Sequence, residues 1–249
     1  MNSSQNKILL EVQGVGQKYQ GAWIFQDAQL QVTEGEIVAL LGESGVGKTT
    51  LFNIIAGVLT PHEGRVFLQG EDITGRAGHI SYMLQKDLLI EERTVLDNVS
   101  IPMRVRGMSK REAYERASEL FSEFGLEGYE KLYPKALSGG MRQRAALLRT
   151  YLTEASMVLL DEPFSALDET TKEQLYEFYI QKSRKLGLTT LLITHNVDEA
   201  LKLAHRIYIM KGRPARVAEA MVLGEKGEDF HLTAEFLEAK KALRAKLSS

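Results

Sequence analysis

Continuous apolar runs recur along the chain between stretches with helical spacing. Three of them are "EIVALL" at 36–41, "MVLLDE" at 157–162 and "TTLLITH" at 189–195. Runs of this kind are typical of strands that are buried on both faces of a parallel sheet, and "RIYIM" at 206–210 is a candidate for a fourth. Because helical patterns alternate with these runs, the sequence predicts an α/β fold with a parallel sheet.

Shorter strands and a tail flank this pattern. Residues 7–40 and 64–84 hold strand-like runs such as "KILLEV" and "RVFLQG", which glycines and polar turns interrupt. The sequence becomes polar after Lys211. We expect residues 213–249 to form a short tail with one amphipathic helix from about 233 to 247.

The middle of the chain, about 86–156, has a helical pattern. Ser109 and Glu112 form a possible capping box, in which each residue satisfies a backbone N–H of the first turn. Apolar residues then mark one helix face, and Gly125 can end the helix; they are Ala113, Ala117, Leu120, Phe121 and Phe124. We expect a helical subdomain inserted into the connections of the sheet.

Composition narrows the classes of protein to consider. The 249 residues carry a formal net charge of −2, which gives no support to nucleic-acid binding. Cysteine is absent, which excludes disulfides and thiolate chemistry. The N-terminal residues form no apolar signal core, and no apolar stretch approaches the roughly 18 residues of a membrane span. We therefore expect a protein that reaches a membrane only through a partner.

A glycine-rich segment, "GESGVGKTT" at 42–50, matches the phosphate-binding P-loop, with a buried-strand run before it and a helical stretch after it. Glycines let backbone N–H groups approach phosphates, Lys48 supplies positive charge to the β- and γ-oxygens, and the Thr49 hydroxyl can bind Mg²⁺. The alternative is a glycine-rich turn that binds no phosphate, and such a turn would not require a buried strand before it and a helix after it. The expected nucleotide-binding residues are Gly42, Glu43, Ser44, Gly45, Val46, Gly47, Lys48, Thr49 and Thr50.

Polar residues close several strand-like runs, at the edge where parallel α/β sheets hold their ligands. Asp161 is a candidate Mg²⁺ ligand, and Glu162 is a candidate for polarising an attacking water. His195 and Gln85 end similar runs. We assign His195 to the γ-phosphate site and Gln85 to Mg²⁺ and the water. The alternatives are a polar strand end for the carboxylates and a structural histidine.

A second candidate anion seat lies in "ALSGGMRQRAALLR" at 136–149. Ser138 has the position of a helix N-cap. Gly139 and Gly140 leave the backbone N–H groups of the first turn open to an anion. The chain therefore has two candidate phosphate seats, about ninety residues apart.

Taken in order, "GESGVGKTT", Gln85, "LSGGMRQR", "MVLLDEP", "SALD" and His195 resemble the ATP-binding subunit of an ABC transporter, over about residues 7–212. The resemblance implies a P-loop NTPase core with an antiparallel β subdomain and an inserted α-helical subdomain, and it implies ATP and Mg²⁺ as cofactors. It places Tyr19 against adenine, where a core or edge tyrosine is the alternative. It places Asp168 against an opposite subunit, where capping the following helix is the alternative.

The same resemblance implies partners. Two ATPase subunits face each other head to tail, so the 138–140 turn of one closes over the γ-phosphate held by the other. Position 141 is methionine, where many relatives carry glutamine. Transmembrane permease subunits and, indirectly, an extracytoplasmic solute-binding protein complete the expected system at the cytoplasmic face of the membrane. No nucleic acid is expected.

"KLYPKALSGG" resembles importers, and "ITHNVDEALKLAHRIYIM" is most similar to the nitrate, sulfonate and taurine import subfamily, whose relatives also move vitamin precursors. Many of those proteins read "LLPW" where this chain reads "LLIEER". We expect Leu88, Leu89 and Ile90 either to receive a short permease helix or to fill the core of the helical subdomain. The competing functions are an ABC-type ATPase acting on nucleic acid or ribosomes, and a regulatory binding module without turnover.

Overall fold

A mixed sheet runs through the computed structural model, which describes residues 7–165, 167–223, 226–227 and 230–248. Ten strands are described: β1 (Ile8–Tyr19), β2 (Ala22–Thr33), β3 (Ile37–Leu41), β4 (Glu63–Leu68), β5 (Glu71–Asp72), β6 (Ser81–Met83), β7 (Met157–Asp161), β8 (Thr189–Thr194), β9 (Arg206–Gly212) and β10 (Ala215–Val222). Their spatial order is β5-β4-β1-β2-β10-β9-β3-β8-β7-β6. The N-terminal six residues and Ala166 of "SALD" lie outside the described residues, as do positions 224, 225, 228, 229 and 249 of the expected tail.

The helices in the described part of the chain are α1 (Lys48–Ile55), α2 (Val95–Val105), α3 (Lys110–Phe121), α4 (Gly139–Tyr151), α5 (Glu169–Leu186), α6 (Val197–Leu203) and α7 (Ala234–Ser248). Short 3₁₀ turns occur at Pro134–Ala136 and Phe230–Leu232. The α-helical subdomain consists of α2, α3 and α4, which lie between β6 and β7 in the chain.

Five strands, β9, β3, β8, β7 and β6, are parallel to one another and form the predicted parallel sheet. Every residue of β3, β7 and β8 is buried. Along β3, Ile37 and Ala39 face a core shared with α2–α7, whereas Val38 and Leu40 face a core shared with α1 and the antiparallel strands. The continuous apolar runs thus reflect burial on both faces, since successive side chains point to opposite sides.

The other strands are antiparallel and continue the same sheet. β1 pairs with β2 and β4, and β4 pairs with β5. β10 pairs antiparallel with β9 and parallel with β2, so it joins the two halves. The structure therefore differs from the expected domain boundary at 212, because that boundary cuts the β9–β10 hairpin. The polar pattern of β10 explains the difference: only one of its faces is buried.

The helical subdomain has the predicted capping box. The Ser109 hydroxyl accepts a hydrogen bond from the Glu112 backbone N–H, and the Glu112 carboxylate accepts one from the Ser109 N–H. Ala113, Ala117 and Phe121 are buried on the predicted face. Capping and burial therefore agree on where α3 begins and which side faces the core.

Gly57 ends α1, the helix that follows the P-loop. It has a φ of 73°, and its N–H donates to the Ile54 carbonyl, which is a common way of ending a helix. A Cβ built on Gly57 would lie 2.2 Å from the carbonyl oxygen of Arg76. Position 57 thus requires glycine for conformation and for space.

We predict that Gly57→Ala destabilises the protein far more than Gly70→Ala. Both glycines have positive φ, but a Cβ on Gly70 meets nothing within 4 Å. Gly70→Ala should cost about 1 kcal/mol for the left-handed backbone, and Gly57→Ala should cost about 1–3 kcal/mol more for overpacking. Urea denaturation of both variants measures the difference, and equal losses would contradict the packing argument.

Candidate active site

The P-loop lies between β3 and α1 and is pressed against neighbouring strands. A Cβ on Gly42 would lie 2.5 Å from the Met210 carbonyl oxygen, and one on Gly47 would lie 2.9 Å from the Ile24 side chain. Gly45 has a φ of 79° and faces open space. The glycines at 42 and 47 thus allow the loop to approach β9 and β2, while Gly45 allows the turn itself.

The start of α1 is open to an anion. Its N-cap residue is Gly47, and no side chain caps the helix. Glu43, Ser44 and Thr49 are exposed, whereas Val46 and Thr50 are half-buried. Uncapped N–H groups at a helix N-terminus are suited to binding phosphate.

Lys48 is buried beneath the loop, and its Nζ donates to the carbonyl oxygens of Gly42 and Glu43, each at 2.8 Å. Burial lowers the pKa of Lys48, although the nearby carboxylates of Glu162 and Asp161 act in the opposite direction. Burial therefore disfavours the charged form of Lys48, and a bound anion such as a phosphate would stabilise it.

Asp161 ends β7 beside the P-loop helix. The Thr49 hydroxyl donates to Asp161 Oδ2 at 3.1 Å, and the Tyr82 hydroxyl lies 3.4 Å from the same oxygen. Burial raises the pKa of Asp161; the Thr49 hydrogen bond opposes the shift and the charge of Glu162 adds to it. The neighbouring hydroxyl and carboxylate oxygens form the kind of hard donor set that Mg²⁺ prefers.

Glu162 follows Asp161 with a φ of 45°, a left-handed conformation that few non-glycine residues adopt. Its N–H donates to the Ile193 carbonyl of β8. Glu162 Oε1 lies 3.1 Å from His195 Nδ1, and Gln85 Nε2 lies 3.4 Å from Glu162 Oε2. This turn directs Glu162 to His195 and Gln85 while Asp161 faces Thr49.

Gln85 has a second contact that the sequence analysis missed. Its Nε2 lies 3.3 Å from Ser165 Oγ, and Ser165 donates to the Glu162 carbonyl at 3.0 Å. The structure thus places Gln85 beside Glu162 rather than beside Asp161 and Thr49. Ser165 lies in the "SALD" segment, three residues before Asp168. Tyr82, which contacts Asp161, is a second site residue that the sequence pattern did not indicate, and it lies three residues before Gln85.

The second anion seat has the expected cap. Ser138 accepts from the Met141 N–H at 3.3 Å, and Ser138 and Gly139 are exposed. Gly140 differs: it is buried, and a Cβ there would lie 2.7 Å from the Thr171 side chain. Glycine at position 140 therefore allows close packing against α5, in addition to leaving a backbone N–H accessible. No hydrogen bond joins the 138–140 turn to the P-loop among the described residues.

Asp168 is the N-cap of α5 and accepts from both the N–H and the hydroxyl of Thr171. These hydrogen bonds lower the pKa of Asp168. The capping alternative is thus confirmed, and a contact with another subunit stays a prediction.

Tyr19 is 67% exposed at the tip of the β1–β2 hairpin. A cleft of about 960 Å³ adjoins the P-loop and is lined by Trp23, Ile24, the P-loop residues 43–46, the β9–β10 hairpin and the end of α7. Tyr19 is not among its lining residues. Stacking of Tyr19 on adenine therefore stays a prediction.

Comparison with known proteins agrees with this geometry, since the family model for ABC transporters matches residues 25–165, more than half of the chain. This chain belongs to the ABC transporter family. It is 44% identical over 191 residues to the formylaminopyrimidine import ATP-binding protein ThiZ of Halalkalibacterium halodurans, covering 77% of this chain and 74% of that protein. It is 38% identical over 215 residues to the taurine import ATP-binding protein TauB of Yersinia pestis, covering 86% and 84%.

Solved structures of ABC cassettes share the fold. The dimeric bacterial cassette MJ0796 superposes with a TM-score of 0.75 at 28% identity, covering 88% of this chain and all of that one. A dimeric post-hydrolysis state of the same cassette, bound to ADP and Pi, gives a TM-score of 0.74. The chain is an ABC ATPase. Within the described residues, no helix combines the length and apolar character needed to cross a membrane.

We predict that Asp161→Asn makes the nucleotide-free ABC ATPase more stable at neutral pH. Folding raises the pKa of Asp161 above its ordinary value of 3.8, so wild-type stability falls as pH rises from that value through the folded pKa. Because asparagine does not ionise, the variant should not lose stability in this way as pH rises. Nucleotide binding that depends on Mg²⁺ should nevertheless weaken by about tenfold or more.

Thermal unfolding at pH 7 and pH 5 measures the effect, and the gain should shrink at the lower pH. Asp87→Asn is the matched control, because the pKa of Asp87 is lowered and the same substitution should reduce stability. A lower melting temperature for Asp161→Asn at pH 7 would contradict the prediction.

Proposed function

We propose that this chain is the ATP-hydrolysing subunit of an importer for a small solute, acting at the cytoplasmic face of the membrane through a separate permease. The observation that carries the proposal is the convergence of Lys48, Asp161, Glu162 and His195 beside an uncapped helix start. The import function of ThiZ and TauB supports the direction of transport.

The P-loop binds the phosphates of ATP through the N–H groups at the start of α1 and through Lys48. Binding moves Lys48 Nζ from the carbonyls of Gly42 and Glu43 towards the β- and γ-oxygens. Thr49 and Asp161 would hold Mg²⁺, and the bound ion would neutralise charge on the phosphates. Gln85, whose amide lies beside Glu162, is assigned to the attacking water rather than to the ion. No group of three or more acidic, histidine or cysteine side chains that could hold a metal occurs in the described part of the chain. Phosphate oxygens and water would complete the ligand set of a bound Mg²⁺.

Glu162 orients and polarises the water that attacks the γ-phosphorus. His195 holds the Glu162 carboxylate through Nδ1, and the Gln85 amide approaches its other oxygen. Phosphoryl transfer depends mainly on positioning and charge, so fixing the carboxylate is the main task of the protein. A module without turnover would not need Glu162 in a left-handed turn.

Two copies act as a head-to-tail homodimer. Each holds ATP at its P-loop, and the 138–140 turn of the other copy covers the γ-phosphate. The dimeric MJ0796 structures support this assembly, as does the lack of a hydrogen bond between the two seats within one chain among the described residues. Exposed Asp168, beside Leu167 and Gly139, lies next to the same surface.

The permease binds at the segment after Gln85. Leu88 and Ile90 are exposed, whereas Leu89 belongs to the core of the helical subdomain. The exposed Leu88 and Ile90 are thus available to a permease helix, whereas Leu89 fills the core of the helical subdomain. The cargo is a small organic solute of the kind for which the relatives are named, such as taurine or formylaminopyrimidine, delivered to the permease by an extracytoplasmic binding protein.

We predict that Glu162→Gln and Lys48→Ala fail at different steps. Glu162→Gln should retain ATP binding and lose about 10²–10⁴-fold in turnover, because only the group that polarises water is changed. Lys48→Ala should weaken ATP binding by about tenfold or more, because it removes charge-assisted hydrogen bonds. Fluorescent-nucleotide titration and phosphate release separate the two effects.

Glu154→Gln is the control, since this carboxylate forms surface ion pairs with Arg106 and Arg116, away from the P-loop. It should match wild type in both measurements. Wild-type turnover by Glu162→Gln would refute the assigned role of Glu162.

We predict that the two anion seats cross-link between chains. The sequence has no cysteine, so Val46→Cys with Ser138→Cys introduces the only thiols. A disulfide needs Cα atoms within about 7 Å. With Glu162→Gln added to retain ATP, oxidation should give a covalent dimer whose yield rises with ATP, as measured by non-reducing electrophoresis.

The single-cysteine variants are the controls and should not give that ATP-dependent product. An ATP-dependent bridge within one chain would place both seats in one subunit and refute the head-to-tail dimer.

A further inference from the structure

Two arginines of α4 bind the segment that follows Gln85. Arg142 forms a two-pronged pair with Asp87, from Nε to Oδ2 at 2.9 Å and from Nη2 to Oδ1 at 3.0 Å. Arg149 donates to the carbonyl oxygens of Asp87 and Leu88. The arginines are seven residues apart, about two turns, so they lie on the same helix face. Leu88 has a φ of 47°, a conformation that needs such external support.

The segment is also fixed at its other end. The Asn98 side chain, fully buried on α2, accepts from the Ile90 N–H at 2.7 Å and donates to the Ile90 carbonyl at 3.0 Å. Arg142 Nη2 also donates to Glu91 Oε1 at 2.7 Å. Hydrogen bonds therefore anchor residues 87–91 to α2 and α4 of the helical subdomain. Gln85, two residues earlier, contacts Glu162.

Arg142 stands near the start of the helix that Ser138 caps. Ser138 binds the Met141 N–H, and the Arg142 N–H donates to the Ser138 carbonyl at 2.9 Å. The hydrogen bonds of Arg142 thus connect Asp87 to the first turn of α4, and Met141 alone separates Arg142 from the 138–140 turn.

We propose that the pair of Asp87 and Arg142 is a positioning link through which the exposed residues Leu88 and Ile90 set the orientation of the 138–140 turn. The proposal rests on the proposed function, because it assigns the permease contact to Leu88 and Ile90 and the nucleotide contact to the turn. Asp87 and Arg142 are positioning residues, since no hydrogen bond or ion pair described in the structure joins either of them to the P-loop, Asp161, Glu162 or His195.

Charge supports a persistent link. Partial burial alone would raise the pKa of Asp87, but the hydrogen bonds from Arg142 and the Leu89 N–H outweigh it and lower the pKa. The carboxylate therefore stays ionised near neutral pH. A two-pronged arginine–carboxylate pair fixes direction as well as distance, which a single lysine contact would not do.

Hydrogen exchange of the isolated protein tests the link without a permease. Asp87→Asn should speed exchange by about fivefold or more both in residues 86–91 and in the first turns of α4, with the parallel sheet unchanged. The matched control is Asp72→Asn, which removes a carboxylate from an exposed pair with Arg65 on β4 and β5. It should leave both segments at wild-type rates.

A double-mutant cycle on Asp87 and Arg142 tests whether the two side chains act together. If the pair acts as a unit, Asp87→Asn should add little to exchange near α4 once Arg142→Gln is present. If Asp87→Asn unfolds the chain, Arg142→Lys replaces it, because lysine keeps the charge and loses the two-pronged geometry. Wild-type exchange at the start of α4 in the single variants would overturn the proposal, whatever the permease does.

ATPase assays with the purified permease complex test the consequence. Stimulation of Asp87→Asn by the permease, expressed relative to the basal turnover of the same variant, should fall by about fivefold or more. Asp72→Asn should be stimulated like wild type. Stimulation of Asp87→Asn at the wild-type level would refute the link. A wild-type protein that no permease stimulates would refute the proposed function, whereas the hydrogen-exchange measurements would still decide the link between Asp87 and the 138–140 turn.

Discussion

The site depends on one constraint: parallel strands that are buried on both faces end at a common edge. β3 leads into the P-loop, β7 ends at Asp161, and β8 ends next to His195. Their backbone hydrogen bonds fix these ends relative to one another, because β3 pairs with β8 and β8 with β7 in continuous register. The strand ends thus bring residues that are far apart in sequence to one edge of the sheet. The left-handed turn at Glu162, anchored on the Ile193 carbonyl, completes the arrangement.

That edge holds charges that the protein alone does not balance. Burial lowers the pKa of Lys48 and raises that of Asp161, so the charged form of each group is disfavoured. Nucleotide phosphates and a divalent cation would supply the missing counter-charges. Shifts of this kind are typical of sites that hold ionised groups together with their ligands.

The helical subdomain has the opposite electrostatic character. Asp87, Arg142 and Glu91 compensate one another, and Asn98 satisfies its neighbours with several hydrogen bonds. Gln85 stands between this subdomain and Glu162, with Lys86 as the single residue before the subdomain contacts begin. Only a very short stretch of chain thus connects the catalytic edge with the surface segment.

Local patterns in the sequence determined much of this protein. Continuous apolar runs identified β3, β7 and β8, because burial on both faces leaves no polar positions. The P-loop, the capping box at Ser109 and the Ser138 cap were predictable because each depends on residues within a few positions of one another. The order of these motifs also indicated the family, which the comparisons then established.

Only the tertiary structure decided the features that join distant segments. β10 has one buried face and a polar pattern, so its place between β2 and β9 could not be predicted from periodicity. The need for glycine at 140 comes from Thr171, and the partners of Gln85 come from residues almost eighty positions away. Leu88 and Leu89 are equivalent in the sequence, yet one is exposed and the other buried. The physical reason is that such contacts depend on the register and packing of separate elements, whereas the sequence pattern reports only the surroundings of each element by itself.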